Sequence, residues 1–112
     1  MTNLERLKLE LSNKSYYTDD EYNVFLNENN LIPTDTYDKT NNEIDLLKTV
    51  VNILETLSND VDLMRKIDSK DITSIDQASL YLSKRIVTIE NKILDLEEKK
   101  NGNSNTTYLF YR

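Results

Sequence analysis

A chain of 112 residues with 14 Lys+Arg against 20 Asp+Glu, a formal charge of −6, has room for one domain and little more. It contains no His, Cys or Trp, which removes imidazole acid–base chemistry, thiol nucleophiles, cysteine zinc clusters and disulfide frameworks. The charge is −3 over residues 1–34, −4 over 35–74 and +1 over 75–112, with no basic stripe to grip nucleic acid or an anionic membrane surface.

No apolar run approaches the ~20 residues of a membrane span. The opening Met1-Thr2-Asn3-Leu4-Glu5-Arg6 is polar and has no signal-peptide apolar core, so synthesis and function inside a cell are expected. With one Gly and one Pro, long uninterrupted helices are the natural outcome.

Thr2 and Glu5 form a capping box, and Leu4, Leu7 and Leu11 share one face, predicting a short amphipathic helix over 3–12. Thr18-Asp19-Asp20-Glu21 is a second capping box, its carboxylates favoured by the helix dipole. Tyr22, Phe25 and Leu26 form the buried side of that helix, which frays at Asn29-Asn30. Residues 31–41 form a loop around Pro33, with Leu31, Ile32 and Tyr37 expected to pin it to the domain.

A central helix is predicted over 42–58. Ile44, Leu46, Leu47, Val50, Val51, Ile53, Leu54 and Leu57 leave only Asp45, Lys48, Asn52 and Glu55 as a polar stripe. Such a helix is buried by several neighbours. Asp60 caps a short piece carrying Val61, Leu63, Met64 and Ile67, followed by a connection over 69–73.

Ser74-Ile75-Asp76-Gln77 is a third capping box and opens the longest helix, running to about Lys100. Its main apolar stripe is Ile75, Ala78, Leu82, Ile86, Ile89, Ile93 and Leu96. Leu80, Val87 and Leu94 form a second stripe further round. That stripe has two readings, a helix packed on two neighbours or a contact between subunits. Lys99 and Lys100 complement the C-terminal dipole, and Gly102 suits a left-handed cap.

Residues 101–107 read as a polar, flexible linker, and Tyr108-Leu109-Phe110-Tyr111 as an apolar segment too costly to leave in water. The segment either folds back on its own bundle or docks on a partner by strand addition or aromatic anchors; docking is the expectation. The division is therefore 1–100 as a helical bundle domain and 101–112 as linker and docking tail. The fold class is all-α, a bundle of four to five helices with a long, protruding last helix and an extended tail.

Little here points to a reaction. Asp19, Asp20 and Glu21 lack the alternating ligands and turn glycine of a calcium loop and are explained by capping. Asp68, Asp71 and Asp76 read as turn and helix-start residues. A single Gly excludes a glycine-rich phosphate cradle, and no cofactor or metal is expected.

The short opening helix Asn3-Leu4-Glu5-Arg6-Leu7-Lys8-Leu9, a loop and the acidic start Thr18-Asp19-Asp20-Glu21 resemble the N-terminal half of phage head–tail connector (adaptor, head-completion) proteins. A central apolar helix, a long final helix and an extended tail fit the same plan. The chain lacks the Ala-rich second helix and Gly-terminated helices frequent in that family. The resemblance implies a virion structural protein in the neck, assembled in the host cytoplasm as a ring, usually of twelve copies, beneath the portal protein. Such a ring extends the DNA channel and receives the next neck or tail component. An acidic lumen would let DNA pass without specific binding. Apart from the resemblance, a small regulatory or antitoxin-like helical protein binding one partner through its tail is the runner-up. A metal enzyme built on acidic side chains is a remote third.

Overall fold

In the computed structural model, which describes residues 1–67 and 74–102, the first helix begins where Thr2 and Glu5 exchange hydrogen bonds. The Glu5 amide donates to Thr2 Oγ1 at 3.2 Å, and the Thr2 amide donates to Glu5 Oε1 at 2.8 Å. This helix, α1 (Asn3–Glu10), ends two residues short of the expected boundary. Its other early amides are met by the loop after the second helix: Asn3 donates to the Asp35 carbonyl at 2.9 Å and Leu4 to the Pro33 carbonyl at 3.1 Å. Thr2 and Thr36 form an isolated antiparallel bridge beside them. The loop is thus held largely through its backbone. Leu31 is buried and Tyr37 packs on the core, whereas the Ile32 side chain is 57% exposed and that residue is held through its carbonyl, which accepts from Asn3 Nδ2 at 2.9 Å.

Thr18 caps α2 (Asp19–Glu28) with the same reciprocal pair of bonds to Glu21. Both early helices end in a Schellman motif without glycine. After α1 the Asn13 amide reaches the Lys8 carbonyl and the Ser12 amide the Leu9 carbonyl; after α2 the Leu31 amide reaches Leu26 and the Asn30 amide Asn27. Ser12, Asn13 and Asn30 accordingly hold positive φ of 57°, 57° and 64°. Leu31 and Leu26, the two hydrophobic positions that accompany the second motif, are both buried.

The central helix, α3 (Lys39–Leu57), starts about a turn earlier than expected. The Asp38 carboxylate accepts from the Thr40 amide at 3.1 Å, and the Asp38 amide donates to Asn42 Oδ1 at 3.0 Å, so the cap lies within the expected loop. Leu46, Leu47, Val50, Val51, Ile53, Leu54 and Leu57 are buried. Thr49 joins them with no exposure, its hydroxyl donating to the Asp45 carbonyl one turn back at 2.8 Å. Asp60 caps α4 (Val61–Ile67) by accepting from the Leu63 amide, and Met64 is its buried residue.

Ser74 Oγ accepts from the Gln77 amide at 3.1 Å and opens α5 (Ile75–Gly102). The helix continues through Asn101 and Gly102, so Gly102 belongs to the last turn and has no positive φ; the expected left-handed cap is not formed there. Ala78, Leu82, Ile89 and Ile93 are buried and Ile86 and Leu96 partly so. Ile75, expected on that stripe, is exposed at the first helical position.

Among the described residues the fold is all-α, with five helices and no strand. α3 touches all four other helices. α1 and α2 pack on each other and on α3, whereas α5 packs on α3 and α4. That central position explains the apolar circumference of α3. α5 runs antiparallel to α3, with Ile44 beside Leu96 and Val51 beside Ile93. At ~1.5 Å per residue α5 is a rod of roughly 40 Å, and α3 followed by α4 lies along it. One face of α5 is therefore covered and the opposite face bare, which is why its outer stripe is exposed without the helix having to protrude.

Candidate functional site

The bare face of α5 carries Leu80, Val87 and Leu94, exposed by 56%, 54% and 60%. Seven-residue spacing places them in one row about 21 Å long, nearly opposite the buried Ala78, Leu82, Ile89 and Ile93. Ser83, Glu90 and Asn91 flank the row and are exposed. α5 packs on two neighbours, α3 and α4, but neither covers this row, which stays exposed among the described residues. Elsewhere Leu9, Val24 and Ile32 are exposed, as individual apolar side chains on folded surfaces commonly are.

Leu94 also borders a groove of about 540 Å³ between the end of α2, the middle of α3 and the second half of α5. Val51 and Ile93 give it apolar walls, and Asn29, Asn52 and Glu90 give it polar ones. Its polar side is organised. Asn29 Nδ2 donates to Asn52 Oδ1 at 2.9 Å and to the Phe25 carbonyl at 3.0 Å, which closes the C-terminal end of α2 onto α3. Lys48, at the rim, is engaged by Glu97 at 3.3 Å, while Glu90 makes no ion pair with another described residue. A second, smaller hollow of about 260 Å³ lies where Ile44 and Leu96 meet beneath Lys39, Lys99 and Lys100.

Longer-range contacts fix α5 relative to the first half of the chain. Arg85 donates to the Glu10 carbonyl at 2.7 Å and to the Tyr81 hydroxyl at 3.0 Å, joining the end of α1 to α5. Lys92 and Glu43 stand 3.8 Å apart across α5 and α3. The Lys92–Glu43 pair, with Lys92 largely exposed, orients more than it stabilises.

The acidic start of α2 is occupied by structural work. Glu21 completes the capping box and Asp19 pairs with Lys8 at 2.7 Å. No three Asp or Glu side chains among the described residues are grouped to hold a metal ion. Asp62 is held below the usual carboxylate range by hydrogen bonds from Arg65 and Lys66 on its own helix. Glu5 is lowered by the Thr2 amide, and burial pushes the hydroxyls of Tyr17, Tyr22 and Tyr37 up. None of these shifts places an acid and a base opposite each other.

Of the residues singled out in the sequence, Leu80, Val87 and Leu94 lie together on one exposed face. Tyr108, Leu109, Phe110 and Tyr111, with Asp68 and Asp71, lie outside the described residues. The groove was not legible beforehand, because its walls come from three helices and only their packing brings Asn29, Asn52 and Glu90 together. No family model, curated protein or solved structure matches the chain.

Proposed function

We propose that the protein is a non-enzymatic assembly subunit, a head–tail connector that forms a ring beneath a phage portal and receives the next neck or tail component. The observation that carries this reading is the row Leu80, Val87 and Leu94, an apolar line on a helix that has neighbours on its other side only. Such a line is self-consistent as a repeated contact between copies, small enough to leave the free subunit soluble and strengthened when many contacts close a ring.

The charge supports the same reading. The acidic excess lies in residues 1–74, while 75–112 is close to neutral at +1. Helices α1 to α4 would then face a lumen that repels phosphate, and the near-neutral α5 would face a neighbouring copy without charge repulsion. On assembly, Tyr108, Leu109, Phe110 and Tyr111 dock on the portal or an adjacent subunit. The site of action is the virion neck.

Electron microscopy of the chain mixed with the portal protein of the same genome tests the proposal. Rings seated on the portal are the expected result. Tight binding of the free chain to duplex DNA at physiological salt would contradict a channel that lets DNA slide.

A further inference from the structure

The exposed row of α5 is evenly spaced about its own middle, with Leu80 and Leu94 each about 10 Å from Val87 along the helix axis. Two such helices laid antiparallel about a two-fold axis therefore seat Val87 on Val87, and Leu80 of each copy on Leu94 of the other. Residues equally far before and after Val87 become level across the seam.

The charges beside the row obey the same symmetry. Lys84 precedes Val87 by as many residues as Glu90 follows it, and the two stand about 60° to either side of the row. Both are exposed, and neither makes an ion pair with another described residue. Antiparallel pairing brings Lys84 of each copy level with Glu90 of the other, twice over. At an interaxial distance of about 10 Å their Cβ atoms lie roughly 9 Å apart, a span that two long side chains close across the seam. Ser83 and Asn91, exposed and uncharged, become level in the same way and complete a polar layer between the apolar ones. Parallel pairing would instead set Glu90 beside Glu90 and Lys84 beside Lys84, which like-charge repulsion disfavours. The charges thus select both the occupant and its direction: a second copy of this chain, running the other way.

We infer that the bare face of α5 pairs with the same face of a second copy, antiparallel about Val87, with Leu80 against Leu94 and Lys84 against Glu90. The contact is small. Past the row it brings Asp76 level with Glu98, two exposed carboxylates, so it ends there. Leu80, Val87 and Leu94 with their polar flanks fall far below the ~20–30 residues a side of a standard interface. The pair is therefore concentration-dependent, absent at nanomolar and populated at high micromolar concentration. A two-fold contact closes at two copies and does not propagate round a ring. It is a state of the free chain that ring assembly has to open, and it stands whether or not the connector reading holds.

Sedimentation equilibrium of the 112-residue chain, without a portal, tests the pairing. The mass should rise with concentration to twice that of one chain and no further. Lys84→Glu and Glu90→Lys, both at exposed positions, should each leave a monomer of unchanged helicity over that range. Lys84→Glu with Glu90→Lys should restore the dimer. Because the chain has no cysteine, disulfide cross-linking reads the direction. A mixture of Ser83→Cys and Asn91→Cys should cross-link, and neither variant alone should. A chain that is monomeric at every concentration overturns the inference. So does a mass that passes two copies, a dimer indifferent to the charge reversals, or cross-linking of Ser83→Cys alone. The connector reading fails separately, on the absence of rings with the portal.

Discussion

Tyr22 reaches back eight residues to Lys14, donating its hydroxyl to the Lys14 carbonyl at 2.9 Å. The same oxygen accepts from the amides of Tyr16 at 3.1 Å and Tyr17 at 3.4 Å, so one buried phenol organises the whole connection between α1 and α2. Tyr17 returns the contact, its ring edge-on to Tyr22 at 6.3 Å.

Tyr22→Phe should therefore cost about 1–3 kcal/mol, because three backbone groups lose a partner while the ring still fills its site. Burial holds the folded hydroxyl above its ordinary value of 10.0. The unfolded chain releases this proton first, so the contribution is complete below pH 10 and is lost as pH rises through the folded value. Denaturant titrations from pH 9 upward should show that alkaline loss in the parent and a smaller one in Tyr22→Phe.

The glycine-free helix ends make a second prediction. Ser12 and Asn30 both hold positive φ, and serine tolerates that region less well than asparagine. Ser12→Gly should stabilise by about 1 kcal/mol and Asn30→Gly by roughly half as much. Asn30→Val should destabilise by about 1–2 kcal/mol. Thermal melts will rank the three variants.

Acid should loosen the first helix. Hydrogen bonds from the Thr2 amide, and then its hydroxyl, hold the Glu5 carboxyl below its ordinary 4.5. Its stabilising effect is thus present above that value and is lost as pH falls through the lower folded one. In Glu5→Gln, which keeps an acceptor for the Thr2 amide, the protection of amides near residues 2–6 relative to their intrinsic exchange rates should lose the decline below pH 4.5 that the parent shows.

The core prediction centres on Leu54, 3% exposed on the helix that touches all others. Leu54→Ala should cost on the order of 2–5 kcal/mol from lost transfer energy and the cavity left behind. An unchanged melting temperature would mean that α3 is not the centre of the fold.

Local signals were legible wherever the physics is local. The capping boxes at Thr2 and Thr18 need only side chains three residues apart, and the apolar periodicity of α3 and α5 needs only helix geometry. Leu47, Val51, Leu54, Leu82 and Ile89 are buried as that periodicity implies, with Ile86 partly so. The start of α3 was misplaced because Asp38 lies among turn-forming residues, and its capping role emerges only with Thr40 and Asn42 in helical register. Ile32 and Ile75 look like core residues by type but sit where loop and first helical turn face outward. The pairing of Arg85 with Glu10 and the groove at Asn29 and Asn52 depend on which helices become neighbours, and nothing along the chain encodes that directly.

The central claim is that the outer row of α5 joins copies of the chain. Mass photometry of the 112-residue chain, alone and with the portal protein that the proposed connector role requires, tests this most directly. The account predicts a monomer alone, a ring-sized species with the portal, and loss of that species in Leu80→Asp/Val87→Asp/Leu94→Asp. Because all three positions are more than half exposed, the triple variant should keep the parent's helicity and melting temperature. A chain that stays monomeric with the portal, or rings that persist in the folded triple variant, would contradict it.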